Sequence, residues 1–279
     1  MNFKRRIEHW FNQNFDVVQR HKFNWEIRPK SAQGCVSSCL IFGLIFCALF
    51  WFTIKFYSIV FSLVMTRLGI APSLGIPLII TVFFGCFINL PLYLVLQCQG
   101  RRYYKLLPVL ISLTPGSYIR SYIGLNVSGG LIPIVLALYQ FHRTQPLAIL
   151  IVMTIVALIS YFFVTVLPGI GIYLTFSGFW IITLIAVFAS MIFIAAFTEM
   201  GLVTSGVARL DVPVAFAGGV LGTTIGCDLL HLKDLHVNRV ASVLSIGGAG
   251  LDDGIAKCGI SALIIAEWLP VVGELISFN

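Results

Sequence analysis

The chain has 279 residues, of which 58% are hydrophobic and only 10% are charged, against roughly a quarter charged in an ordinary soluble domain. No Asp or Glu occurs between Glu26 and Glu199, and a globular surface in water cannot be covered without such charge. The net charge of +7 does not mark a nucleic-acid binder. Seven of the eighteen Lys and Arg residues (Lys4, Arg5, Arg6, Arg20, Lys22, Arg28 and Lys30) precede the first apolar segment, which is the positive-inside bias of a membrane protein.

Residues 1–34 form a cytoplasmic segment in this reading. Phe3, Ile7, Trp10, Phe11, Phe15 and Val18 fall in an arc of about 140° on a helical wheel, so the segment reads as an amphipathic helix. With Lys4, Arg5, Arg6 and Gln13 opposite, it suits the headgroup region and anionic lipid; docking on the protein's own cytoplasmic face is the alternative. The apolar run from Val36 is too long, and starts too late, for a cleaved signal peptide.

Residues 35–279 read as one transmembrane domain, an all-α polytopic helix bundle of about seven spans. Stretches of about 20 apolar residues lie near 36–54, 74–96, 122–141, 146–166, 174–198, 212–232 and 241–275. The third is interrupted by Asn126, Ser128, Gly129, Gly130 and Pro133, which mark a broken or re-entrant helix. If it re-enters, the count is six and the carboxyl end changes sides. Counted as a span, it places Arg101, Arg102, Lys105, Lys233 and Arg239 in the cytoplasm and Lys55, Arg67, Arg143 and Arg209 outside. The chain is then a multi-pass protein of the cell inner membrane with a cytoplasmic amino terminus. A reporter fused before Val36 is expected to read cytoplasmic and one within 204–209 external; a cytoplasmic reading at 204–209 would make the third segment re-entrant. The seven cysteines, Cys35, Cys39, Cys47, Cys86, Cys98, Cys227 and Cys258, include no CxxC pair and read as reduced, small hydrophobes.

Seven of the eleven acidic residues lie beyond Glu199, and two of them, Asp228 and Asp253, sit among small residues. Asp228 belongs to GGVLGTTIGCDLLHL, and a carboxylate inside a span costs about 2.5–3.5 kcal/mol on insertion scales unless it faces the bundle interior. Asp253 follows SIGGAGLD, where Gly247, Gly248, Gly250 and Gly254 break the helix and leave free amides at the positive end of the next one. If the two helices are antiparallel neighbours, the carboxylates meet at one level, where they share a proton or hold a cation. The alternative is that Asp252 or Asp253 caps the last helix, with Asp253 paired to Lys257. Asn126, Ser128 and Gly129 in LNVSGGLIP form a second candidate binding site, with close helix packing as its alternative. Asp228, His231, Asp234 and His236 offer metal-ligand chemistry at a spacing that spreads ligands along a helix, so HLKDLHVNR reads as a polar loop and no metal is assigned. No cofactor motif is present.

The motifs NVSGGLIP, LPGIGI, GGVLGTTIGCDLL and SIGGAGLDDGI together resemble a prokaryotic family of polytopic membrane proteins catalogued as a domain of unknown function. The resemblance covers about residues 70–268. The family pattern reads approximately IGADLL and SIGGAGTFDGIFLTGI, and Asp228 and Asp253 stand at its acidic positions. Asp252 departs from it, where an aromatic is usual, as does Lys257, where the family is apolar. The resemblance implies about seven spans and no activity. A looser similarity links Gly248, Gly250 and Asp253 to the Gly-x-Gly turn of intramembrane aspartyl proteases of the presenilin and prepilin peptidase type. The sequence here is GAGLDD with no Pro-Ala-Leu after it, so that activity is not carried over.

Two function classes follow. One is a small proton- or cation-coupled transporter whose broken helices at 126–133 and 247–254 build a midplane site for a small solute, with Asp228 and Asp253 as coupling groups and Asn126, Ser128, Gly129, Gly248 and Gly250 around it. The other is a hydrolase in which Asp228 and Asp253 act as general base and general acid. A non-catalytic scaffold or assembly protein is the third outcome.

Overall fold

In the computed structural model, residues 15–21, 24–29, 32–98, 101–106, 119–167, 171–203, 209–232 and 243–277 are described. The chain divides into two units, Met1–Ser62 and Leu63–Asn279. In the first, β1 (Phe15–His21) and β2 (Asn24–Pro29) pair antiparallel, with Phe15 opposite Pro29 and Val17 opposite Ile27. This corrects the amphipathic helix expected over residues 15–29; residues 1–14 lie outside the described ones. The alternation in NWEIR and the β-branched Val17 and Val18 suit strands, which pair with each other in the hairpin.

Helix α1 (Ala32–Arg67) runs through the boundary between the units. Its segment Leu40–Arg67 has a mean hydropathy of 2.0, and Leu40, Phe42, Phe46 and Phe50 are exposed on it. Lipid is the solvent that such a surface suits.

The second unit is mostly helical. Its core is four helices, α4 (Pro146–Phe163), α5 (Phe176–Glu199), α6 (Asp211–Thr223) and α7 (Gly254–Ser277), packed pairwise. On α5, Ile182, Thr183, Ala186, Val187 and Ser190 are buried while Leu184, Phe188 and Ile192 are exposed. The outward face is therefore as apolar as the inward one, as a lipid-facing helix requires. Every residue of α6 is buried, and its glycines are the reason: a Cβ on Gly222 would lie 2.5 Å from Cβ of Val156 on α4. Small residues here let the backbones approach.

Among the described residues, four helices are long and apolar enough to cross a membrane: Leu40–Arg67, Pro146–Phe163, Phe176–Glu199 and Asp211–Leu229. They coincide with the first, fourth, fifth and sixth predicted spans. The second, third and seventh are divided between helix and strand. Helix α2 (Gly75–Gly85) gives way to β3 (Asn89–Cys98), because Pro91 removes a helical donor and the run NLPLYLVL alternates. Strand β5 (Ile119–Asn126) leads through a π-turn, Val127–Leu131, into α3 (Ile132–Tyr139). Strand β8 (Val243–Ile246) leads through a glycine turn into α7. With β4 (Arg101–Leu106), these strands form a sheet in the order β4-β3-β5-β8, where β5 and β8 are parallel and the other pairs antiparallel. A smaller hairpin of β6 (Val164–Leu167) and β7 (Gly171–Leu174) joins α4 to α5. Cys47, Cys86, Cys227 and Cys258 are free thiols.

Pro270 lies inside α7 and has no N–H for the carbonyl of Ala266. Arg209 takes that place, donating to the carbonyls of Ala266 (2.6 Å) and Glu267 (3.0 Å) while its guanidinium also holds Asp211 (2.6 Å). Arg67 pairs with the Glu267 carboxylate beside it. Arg209→Met strands the Ala266 carbonyl and the Asp211 charge, so it is expected to lower stability in detergent by on the order of 2–3 kcal/mol. Arg209→Lys should recover part of that, since an ammonium cannot fork. Unchanged thermal unfolding of both variants would refute this role.

Candidate functional site

The two breaks meet backbone to backbone. A Cβ on Gly129 would lie 2.3 Å from the carbonyl oxygens of both Gly247 and Gly250, and one on Gly247, at φ +74°, would lie 2.4 Å from the Gly130 nitrogen. No side chain fits at either position. The parallel pairing of β5 with β8, Leu125 opposite Ile246, brings the two turns side by side.

Asn126 closes the first break. Its Oδ1 accepts from the backbone N–H groups of Ser128 and Gly129, both at 3.0 Å, and its Nδ2 donates to the carbonyl of Cys86 (2.9 Å) and to Oδ1 of Asn89 (3.1 Å). All four hydrogen-bonding positions of the amide are occupied. Asn89 Oδ1 also accepts from the Ser245 hydroxyl at 2.5 Å, which ties α2, β3, β5 and β8 together at one level. The Ser128 hydroxyl is buried and has no partner among the described residues, Gly129 and Gly250 are buried, and Gly248 is exposed.

Asp253 closes the second break. Its Oδ1 accepts from the N–H of Ile255 at 3.1 Å and its Oδ2 from that of Ala249 at 3.4 Å, so it caps α7. Lys257 pairs with Asp252, not with Asp253, at 2.8 Å. The capping alternative thus describes Asp253 correctly and its ion pair incorrectly: Asp252 is exposed, and the Lys257 stem reaches it across one turn.

Asp228 lies in a π-helical segment, Thr224–Leu229, that extends α6. Such bulges insert a residue into the helical ladder and recur at functional sites. Helices α6 and α7 are antiparallel: Arg209, just before α6, reaches Ala266 and Glu267 of α7, and Gly219 farther along α6 lies against Cys258. Counting a rise of about 1.5 Å per residue from the Gly219–Cys258 contact, Asp228 and Asp253 differ in depth by about 6 Å. The two carboxylates thus stand about one helical turn apart in depth and not at the one level expected of them, and Asp228 has no hydrogen-bond or ion-pair partner among the described residues. The nearby buried hydroxyls mostly turn back on their own helices: Ser160 donates to Ala157, Thr183 to Phe179 and Thr224 to Val220.

Of the four residues whose metal-ligand chemistry was set aside for a polar loop, Asp234 and His236 lie outside the described residues. His231 is buried with Nδ1 against the carbonyl oxygens of Gly226 (3.0 Å) and Cys227 (3.1 Å). The His231 contacts and the Arg209 brace were missed from sequence. Each had a signal: a His in the last turn of a span, and a Pro inside α7 with a lone Arg before α6.

A family model described as "Protein of unknown function (DUF1614)" matches residues 83–265, which is more than half of the chain. No curated protein and no solved structure matches it.

Proposed function

The chain belongs to this family of unknown function, as its late motifs implied, and on the chemistry of its two intramembrane carboxylates we propose that it is a small permease of the cytoplasmic membrane in which Asp228 and Asp253 carry a coupling proton or cation. The observation behind this reading is that neighbouring helices carry two carboxylates at the same end, one on a π-bulge and one at a helix start. Like charges crowded in a medium of low dielectric repel, and binding a proton or a cation relieves the repulsion. Release restores it, which gives the site two states for alternating access. Asn126, with its amide fully engaged, organises the first break. Solute contact is assigned to Ser128 and to the backbone around Gly129, Gly248 and Gly250. The basic amino-terminal segment faces the cytoplasm and its anionic lipids.

A hydrolytic dyad is the weaker reading. The chain carries GAGLDD with no Pro-Ala-Leu after it, so the Gly-x-Gly turn of the intramembrane aspartyl proteases is matched only in part.

Dicyclohexylcarbodiimide, a lipid-soluble reagent that modifies protonated carboxyls, provides the test. In purified protein, Asp228 is expected to be labelled, with labelling that falls as pH rises if the ion is a proton, or that added sodium or potassium blocks if it is a cation. Absence of labelling at every pH and in the absence of salt would overturn the assignment.

A further inference from the structure

The π-bulge that carries Asp228 ends in carbonyls that the helix does not use, and His231 meets two of them. Nδ1 of His231 lies 3.0 Å from the oxygen of Gly226 and 3.1 Å from that of Cys227. Both neighbours are carbonyl oxygens, which only accept, so Nδ1 carries a hydrogen whether the ring is neutral or charged. The ring stacks on Tyr161 of α4 with centroids 4.6 Å apart and planes at 26°, which fixes its orientation. The bulge itself is pressed against the same face of α4: a Cβ on Gly226 would lie 2.2 Å from the carbonyl oxygen of Ala157 and 2.0 Å from the Ser160 hydroxyl. The segment is thus held against α4 at Ala157, Ser160 and Tyr161, and Asp228 lies between Cys227 and the end of the bulge.

We propose that His231 is a positioning residue for Asp228, holding the π-bulge through Nδ1 so that the carboxylate faces Asp253. The role rests on the ion-coupling reading for its purpose, and on the hydrogen bonds alone for its existence. It requires the Nδ1 donor; the stack on Tyr161 aims that donor but does not replace it.

Two variants separate donor from ring. His231→Asn keeps an N–H at the position of Nδ1 and removes the ring; His231→Phe keeps the ring and removes the donor. Hydrogen exchange over residues 224–231 of the purified protein is expected to quicken about threefold to tenfold in His231→Phe, the effect of one net hydrogen bond, and to stay near wild type in His231→Asn, with exchange in α5 unchanged in both. Carbodiimide labelling of Asp228 should fall severalfold in His231→Phe, because a loosened bulge lets the carboxyl reach water and ionise, and should stay near wild type in His231→Asn. Wild-type exchange and labelling in His231→Phe would overturn the proposal, and loss in His231→Asn alone would make the ring the structural element; equal loss in both variants would also overturn it, because an N–H at the Nδ1 position would then not hold the bulge. If wild-type Asp228 takes no label at all, the ion-coupling reading fails, and the exchange rates alone decide whether His231 holds the bulge.

Discussion

Asp228→Asn and Asp253→Asn are each expected to reduce function to background while leaving folded protein at wild-type levels, and Asp252→Asn is expected to be mild. Asn keeps the shape of Asp but cannot bind and release a proton or compensate a cation. At 253 it also keeps the cap, since Asn and Asp are equivalent there and the Ile255 N–H still finds an oxygen. Stability should therefore change by no more than about 1 kcal/mol. Asp252 is exposed and already paired with Lys257, and an exposed pair contributes about 0–1 kcal/mol. The checks are complementation of a strain lacking the gene and the yield of monodisperse protein. Full complementation by both Asn variants at 228 and 253 would reduce the carboxylates to caps and packing groups. Loss of folded protein in either would point the same way.

The largest loss of stability is expected at the contact between the breaks. Gly129→Ala and Gly247→Ala each drive a methyl into backbone that has no rotamer with which to yield. Overpacking of this kind costs about 1–3 kcal/mol, and the left-handed φ of Gly247 adds about 1–2 kcal/mol. Gly201→Ala isolates the second effect, since Gly201 has φ +71° and a methyl added there would meet nothing within 4 Å. Thermal unfolding in detergent should rank Gly247→Ala lowest, then Gly129→Ala, then Gly201→Ala. If Gly129→Ala unfolds with wild type, the two turns do not meet as described.

Where the sequence was legible, it was because one physical rule dominated. Uninterrupted apolar length located α1, α4, α5 and α6, and the glycine clusters located both breaks. Asp228 and Asp253 stood out because carboxylates are costly among apolar residues. The sheet was hidden because its strands lie in segments as apolar as a span, and composition does not separate a buried strand from a buried helix; only Pro91 and the alternation around it speak for β3. The hairpin at 15–29 was missed because a helical wheel rewards any suitable spacing, while the pairing of β1 with β2 depends on two segments at once. Asn126 was legible as a break and not as a keystone, since its four partners come from elements far apart in the chain.

Ion movement in reconstituted vesicles decides whether the carboxylate pair couples ions. Proteoliposomes holding a pH dye are given a potassium-diffusion potential and exposed to pools of small solutes, and the same preparation is assayed with radioactive sodium. Wild-type protein should carry protons or sodium inward when a transported solute is present, and Asp228→Asn or Asp253→Asn should remove that flux while Asp252→Asn retains it. Flux that persists undiminished in both Asn variants at 228 and 253 would contradict the account.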